Sequence, residues 1–160
     1  MSLEGNSQSN RQKIALTPEL RKAKEELFKK AFSRIEKSIS RGFHLEAIPI
    51  IESLICDRLE TSITVITGEP TGAKNLGPLL KRLEQLPEFP EELVAEIDLW
   101  RSDRNLVMHR MVKITSEEIF DWHSRMKFAR ATAIEGFRLV KQVHTATSRI
   151  KRQNLGGRCE

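Results

Sequence analysis

The sequence predicts an all-α fold, an antiparallel helical bundle of four long helices and one short helix. Apolar residues recur at steps of three and four along most of the chain, which is the spacing of one helix face. Helix-starting and helix-breaking residues separate these segments, and no segment has a convincing strand pattern. The 160 residues suffice for one domain with its own hydrophobic core.

The first long helix is predicted for residues 17–40. Thr17 offers a capping hydroxyl, Pro18 suits the first helical position, and Glu19 places an acid in the first turn. Its apolar stripe is formed by Leu20, Leu27, Ala31 and Ile35. Arg41-Gly42 ends this helix.

The second long helix is predicted to begin at about Leu45 and to be the central helix of the core. Pro49 is tolerated only in its first turn, where its missing N–H breaks no helical hydrogen bond. The apolar residues of this segment are Ile51, Leu54, Ile55, Leu59, Ile63 and Ile66. A loop is expected at residues 67–75, where the spacing of a phosphate-binding loop is not met, and a short helix at residues 78–86.

The last two long helices divide the remainder of the chain. One is predicted for residues 91–112, and a capping box at Thr115 and Glu118 begins the other, which extends to about Arg152. The apolar side of the last helix consists of Ile119, Trp122, Met126, Ala129, Ala133, Phe137, Val140 and Val143. The predicted organisation is a flexible N-terminal segment with a tag-like start (1–16), a helical domain (17–152) and a flexible basic tail (153–160).

Composition and charge narrow the class of protein. A net charge of +5 permits an anionic partner such as nucleic acid, although a solvated basic surface explains it equally well. No apolar run approaches the roughly 20 residues of a membrane span, so no membrane partner is expected. Cys56 and Cys159 belong to no Cys/His cluster, which argues against a disulfide framework or a zinc site. We therefore expect a reduced, cytoplasmic protein without metal or cofactor.

The most informative segment is Arg104-Asn105-Leu106-Val107-Met108-His109. It lies on a predicted helix whose apolar seam is formed by Leu93, Ile97, Trp100, Val107 and Met111. Arg104 occupies the seam position between Trp100 and Val107. A guanidinium at an apolar position remains charged, so it requires a partner, water or a functional reason.

The geometry of a helix separates the Arg104 and His109 side chains of this segment. Asn105 and His109 are one turn apart and share a face, which Arg101 extends by another turn. Arg104 and His109 differ by roughly 140° around the axis. A joint site therefore needs a wrapped arginine, a distorted helix, or a second copy of the helix facing the first. The last option predicts a symmetric homodimer.

Such a group of residues suits RNA cleavage without a metal ion. RNA carries its own nucleophile, the 2′-hydroxyl, beside the scissile phosphate. His109 would transfer the proton, Arg104 would stabilise phosphate charge, and Asn105 would orient the imidazole or bind the phosphate. Arg101 and Arg110 would hold RNA phosphates, although a solvated helix face accounts for them almost as well.

Two non-catalytic interpretations stay open. Arg104 could pair with an internal carboxylate, for which Glu52, Asp57 and Asp103 are candidates. A plain scaffold protein then predicts Arg104 in an intramolecular salt bridge and His109 exposed without a cleft. A helical interaction module would instead bind a nucleotide, RNA or a partner protein.

The histidines outside the motif, His44, His123 and His144, are interpreted as solvent-facing or capping residues, and Trp100 and Trp122 as core or interface anchors.

The chain resembles the HEPN superfamily of all-α domains, whose signature is Arg, four to six residues, then His, commonly with Asn after the Arg. Residues 104–109 meet the four-residue version. Two further segments, 42–47 and 76–80, are similar to the start of the second helix and to the short segment before the motif helix. The resemblance covers roughly residues 20–143.

The resemblance implies an endoribonuclease of a toxin–antitoxin or other defence system, dimerising so that two motifs face one cleft. It also implies catalytic roles for Arg104 and His109, support from Asn105, and often an additional acidic residue. RNA and a cognate antitoxin protein would be its partners. Some members of the superfamily are inactive binding or scaffold modules.

Overall fold

The computed structural model describes residues 17–113 and 121–156, and every regular element within these ranges is an α-helix. The helices are α1 (Pro18–Ser40), α2 (His44–Thr67), α3 (Leu76–Leu83), α4 (Glu91–Arg110) and α5 (Trp122–Gly156). The all-α prediction is confirmed for this part of the chain. None of these helices combines the length and the apolar composition that crossing a membrane requires.

The start of α1 follows the sequence signals, whereas α2 starts earlier than predicted. The Thr17 hydroxyl accepts a hydrogen bond from the Leu20 backbone N–H at 3.3 Å, and Pro18 is the first helical residue. Since α2 begins at His44, Pro49 lies inside the helix beyond its first turn, and the prediction that it occupies the first turn is wrong. Gly68 ends α2 at φ 77°, a left-handed conformation that glycine adopts without strain.

The start of α5 is capped by Asp121, which was not among the predicted capping residues. The Asp121 carboxylate accepts a hydrogen bond from the Ser124 backbone N–H at 2.7 Å, as an N-cap residue does. The predicted capping box at residues 115–118 lies outside the described residues. At its other end α5 continues to Gly156, so residues 153–156 of the predicted tail are helical. Residues 1–16 and 157–160 also lie outside the described ranges.

The core is centred on α2, which packs against α1, α3 and α5, while α4 packs on α3 and α5. The predicted apolar residues of α2 are buried from Ile51 to Ile63, which confirms it as a core helix. Two buried hydroxyls also join α2 to α5, because Ser62 Oγ and Thr147 Oγ1 lie 2.9 Å apart.

A close approach between α4 and α5 fixes the position of the motif helix. The buried indole of Trp100 donates a hydrogen bond from Nε1 to the Thr132 carbonyl at 2.8 Å. The same ring lies against Gly136, where an added Cβ would be 2.6 Å from Nε1. Only a residue without a side chain admits the indole at this distance.

Several predicted surface and core assignments are wrong. Leu20 and Leu27 of the α1 stripe are exposed. Trp122 is 61% exposed, which excludes the core role, while its role as an interface anchor stays a prediction. Conversely, His44 is buried. His144 is half-buried, and its ring stacks on Phe28 with the ring centroids 4.8 Å apart. Burial lowers the pKa of both histidines, with a smaller contribution from nearby cations.

Candidate functional site

Helix α4 presents the Arg–His motif on a seam whose burial agrees with the sequence. The apolar positions Leu93, Ile97, Trp100 and Val107 are buried, and Met111 is half-buried after the helix end. Arg104 lies between Trp100 and Val107 on this seam, and its side chain is only 17% exposed. The predicted conflict between a fixed cation and an apolar position is therefore present in the fold.

Two side chains engage the Arg104 guanidinium. Its Nη2 forms an ion pair with the Glu52 carboxylate of α2, and its Nη1 donates a hydrogen bond to Asn105 Oδ1 at 2.7 Å. The Nε–H is buried without a hydrogen-bond partner. Burial lowers the pKa of Arg104, but the guanidinium remains charged at neutral pH.

Glu52 is the one of the three candidate carboxylates that pairs with Arg104. Asp57 instead forms an ion pair with Lys24 at 2.8 Å, and Asp103 is exposed on α4. Glu52 lies on the helix that forms the centre of the core, so its backbone is firmly placed. Spacing along the chain could not have selected it, because the pair depends on where the bundle places α4 relative to α2.

His109 lies in the last turn of α4 and is exposed. Within the described part of the chain its ring makes no hydrogen bond or ion pair, while Arg104 contacts Asn105 and Glu52. One copy of the chain therefore does not bring Arg104 and His109 together. This is the arrangement expected of a scaffold helix, and equally of one half of a site that two copies complete.

The two flanking arginines differ in their surroundings. Arg101 is tied to Asp98, with Nε 2.9 Å and Nη2 2.8 Å from Oδ1, and remains partly exposed. Arg110 is exposed, and its carbonyl accepts a hydrogen bond from Arg125 of α5. Arg125 also donates to the Lys113 carbonyl at 2.8 Å.

Arg125 thus binds the carbonyls at the end of the motif helix, where helices leave carbonyl groups unpaired. It positions the turn that carries His109, a role that the sequence does not reveal. No local signal could have identified it, because an arginine in the first turn of a helix is usually a surface residue.

Helix α2 also carries a cysteine thiol, that of Cys56. Burial raises the pKa of the Cys56 thiol to about 11, with a smaller contribution from Glu60 and Asp57, so the thiol is protonated at neutral pH. In residues 17–113 and 121–156, no three His, Cys, Asp or Glu side chains are grouped as ligands for one metal ion.

Comparison of the chain with models of protein families, with curated proteins and with solved structures gives no match. The resemblance to the HEPN superfamily therefore rests on the motif and its setting in a helical chain.

Proposed function

We propose that two copies of this chain form a HEPN-type endoribonuclease that cleaves RNA without a metal ion, with the helices arranged as an antiparallel HEPN-like bundle. Its biological setting would be a cytoplasmic toxin–antitoxin or defence system, with an antitoxin protein as a further partner. The observation that carries the proposal is the state of Arg104. A largely buried guanidinium, held at an apolar seam position, lies on the same helix as an exposed imidazole.

The contacts of Arg104 suit a group that must bind a phosphate. Glu52 and Asn105 engage one nitrogen each, which fixes the orientation of the guanidinium plane. An arginine has five N–H donors, so donors remain for phosphate oxygens. A positive charge held in place and partly removed from water stabilises developing negative charge more strongly than one that is fully solvated.

A second copy of the chain would bring an Arg104 and a His109 side chain close together. Exposed apolar side chains flank the motif, which is typical of a surface covered by a partner. They are Leu99 (71% exposed), Leu106, Met108 and Val112 (86% exposed). Leu99 and Leu106 lie on the side of α4 opposite Met108, and Met108 lies between Arg104 and His109 around the helix axis. Two α4 helices packed through the Met108 side would place the Arg104 of one copy opposite the His109 of the other around a two-fold axis.

The reaction follows from the chemistry of RNA. The 2′-oxygen attacks the adjacent phosphorus, its proton passes to a base, and the bond from phosphorus to the 5′-oxygen breaks. The leaving 5′-oxygen takes up a proton. His109 would act as base or acid, and Arg104 would stabilise the charge on the phosphorane. The products are a 2′,3′-cyclic phosphate and a 5′-hydroxyl end.

A non-catalytic helical module that binds a nucleotide, RNA or a protein is the second candidate. Among the non-catalytic alternatives the same ion pair favours the plain scaffold protein, because Glu52 already neutralises Arg104 in a single chain. In that case Arg104 and Glu52 would only connect α4 to α2, and His109 would be an ordinary surface residue.

Cleavage of a labelled RNA panel in the presence of EDTA distinguishes the two candidates. We expect the wild type to leave cyclic-phosphate ends, and both Arg104→Gln and His109→Gln to lose cleavage while keeping the helical circular dichroism spectrum. His123→Gln is the matched control, since His123 is also exposed but lies outside the motif. Full activity in both motif variants would eliminate the catalytic assignment.

Mixing the two inactive variants tests the shared site directly. In a mixed dimer, one composite site combines the intact Arg104 of one copy with the intact His109 of the other. We expect activity to return on mixing and re-equilibration. If each copy carried a complete site of its own, the mixture would stay inactive.

A further inference from the structure

A charged cleft of about 620 Å³ lies between α1, α2 and α5, on residues that the proposed nuclease site does not use. Pockets for small molecules commonly measure about 300–1,000 Å³, so the cleft has a suitable size. Its polar wall is formed by Lys24 of α1, Asp57, Arg58 and Thr61 of α2, and Lys151 and Asn154 of α5.

Arg58 is the most unusual group in this wall. It is only 7% exposed, although it lines the cleft. Its guanidinium lies 4.0 Å above the centre of the Phe28 ring, and its Nε is 3.7 Å from a carboxylate oxygen of Asp57. The Nε–H is buried without a hydrogen-bond partner. An arginine stacked and enclosed in this way is oriented before any ligand arrives.

The cations of the cleft outnumber the carboxylates available to them. Asp57 forms ion pairs with both Lys24, at 2.8 Å, and Arg58. Lys151 makes no ion pair within the described part of the chain. Burial lowers the pKa of Lys151, and the charges of Arg58 and Lys24 lower it further, against smaller opposing contributions from Asp57 and Glu25. All the lining residues together comprise four cations and three carboxylates.

We propose that this cleft binds a small phosphate-bearing molecule, with Arg58 and Lys151 as its principal ligands. A phosphate group would supply negative charge to Lys151, which has no ion pair in the described residues, and to Arg58, whose only ion-pair partner there, Asp57, is shared with Lys24. Phosphate oxygens also accept the fork of N–H donors of a guanidinium. Asn154 uses its amide nitrogen to donate to the Ile150 carbonyl, which leaves its amide oxygen for a ligand hydroxyl. This proposal does not depend on RNA cleavage.

Calorimetric titration of the full chain with pyrophosphate, at low ionic strength, tests the site. Lys151→Gln is expected to weaken binding by about tenfold or more, because it removes a charge-assisted hydrogen bond. Arg152→Gln is the matched control: it removes the same charge from the next residue of α5, which is exposed and does not line the cleft. Its affinity should stay within about twofold of the wild type.

The absence of pyrophosphate binding by the folded wild type overturns the proposal. Equal losses in Lys151→Gln and Arg152→Gln overturn it as well, since they would mean attraction to a basic surface. An RNA oligonucleotide that binds and is weakened by Lys151→Gln, while pyrophosphate does not bind, would assign the surface to nucleic acid instead. Nitrogen-15 spectra give a second readout, because pyrophosphate should shift the Arg58 side-chain Nε–H signal.

Discussion

Replacing Gly136 with alanine should destabilise the protein, although alanine is ordinarily the better helix former. The new Cβ would lie 2.6 to 2.7 Å from three atoms of the Trp100 indole, far inside ordinary carbon contact distances. The ring cannot move away freely, because it is buried and its Nε1–H is bound to the Thr132 carbonyl.

The expected loss of unfolding free energy combines opposing contributions. Overpacking a close contact costs about 1–3 kcal/mol. Disturbing the indole hydrogen bond adds about 1 kcal/mol. The helix propensity of alanine returns about 1 kcal/mol. The net loss is about 1–3 kcal/mol, which lowers the melting temperature by several degrees.

Urea unfolding followed by circular dichroism measures this difference, and Gly77→Ala is its matched control. Gly77 is also helical, but a Cβ there would meet only the Arg101 Nη1 at an ordinary 3.6 Å. That variant should be as stable as the wild type or slightly more stable. If Gly136→Ala behaved in the same way, the argument for a close α4–α5 contact would be refuted. In a Trp100→Leu background, which lacks the clashing atoms, the Gly136→Ala penalty should disappear.

Two further predictions concern the contacts of α5. Thr147→Val should lower the unfolding free energy by about 1–2 kcal/mol, because it leaves the buried Ser62 hydroxyl without its cross-helix partner. Urea unfolding of this variant, of Ser62→Ala and of the double variant measures the coupling free energy between the two side chains. If the losses of the two single variants simply add up in the double variant, a direct hydrogen bond is contradicted. The pKa of His144 is lowered by burial and then by Arg58 and Lys151, so the unfolded chain binds the proton more readily than the folded one. The unfolding free energy should therefore fall as the pH drops below about 6.5, the ordinary pKa of histidine. His144→Gln should reduce this loss. If the variant and the wild type show the same pH dependence of unfolding, His144 does not contribute to it.

The helices and the α4 seam could be predicted because their signals are local. Periodicity and capping residues identified the start of α1 and the burial of Ile97, Trp100 and Val107. Periodicity identifies an apolar face without showing what covers it. Leu27 therefore belongs to a correct helix and is nevertheless exposed.

The candidate site was predicted only in part, for a related reason. The motif placed Arg104 on an apolar seam, which the structure bears out. Its partner could not be chosen among Glu52, Asp57 and Asp103, because that choice depends on where the bundle places α4 relative to α2. The cleft around Arg58 gave no sequence signal either, since its residues come from three helices and are brought together only by the packing of α5 on α1 and α2.

Arg125 connects the end of the motif helix to a part of the chain that is synthesised later. The carbonyls of Arg110 and Lys113 accept its hydrogen bonds, so the last turn of α4 is completed by a group on α5. During translation the ribosome releases the whole motif before it releases Arg125. A nascent chain that stops before Asp121 therefore carries every residue of the motif but lacks the Arg125 guanidinium that fixes the end of α4. The position of His109 is established late in biosynthesis.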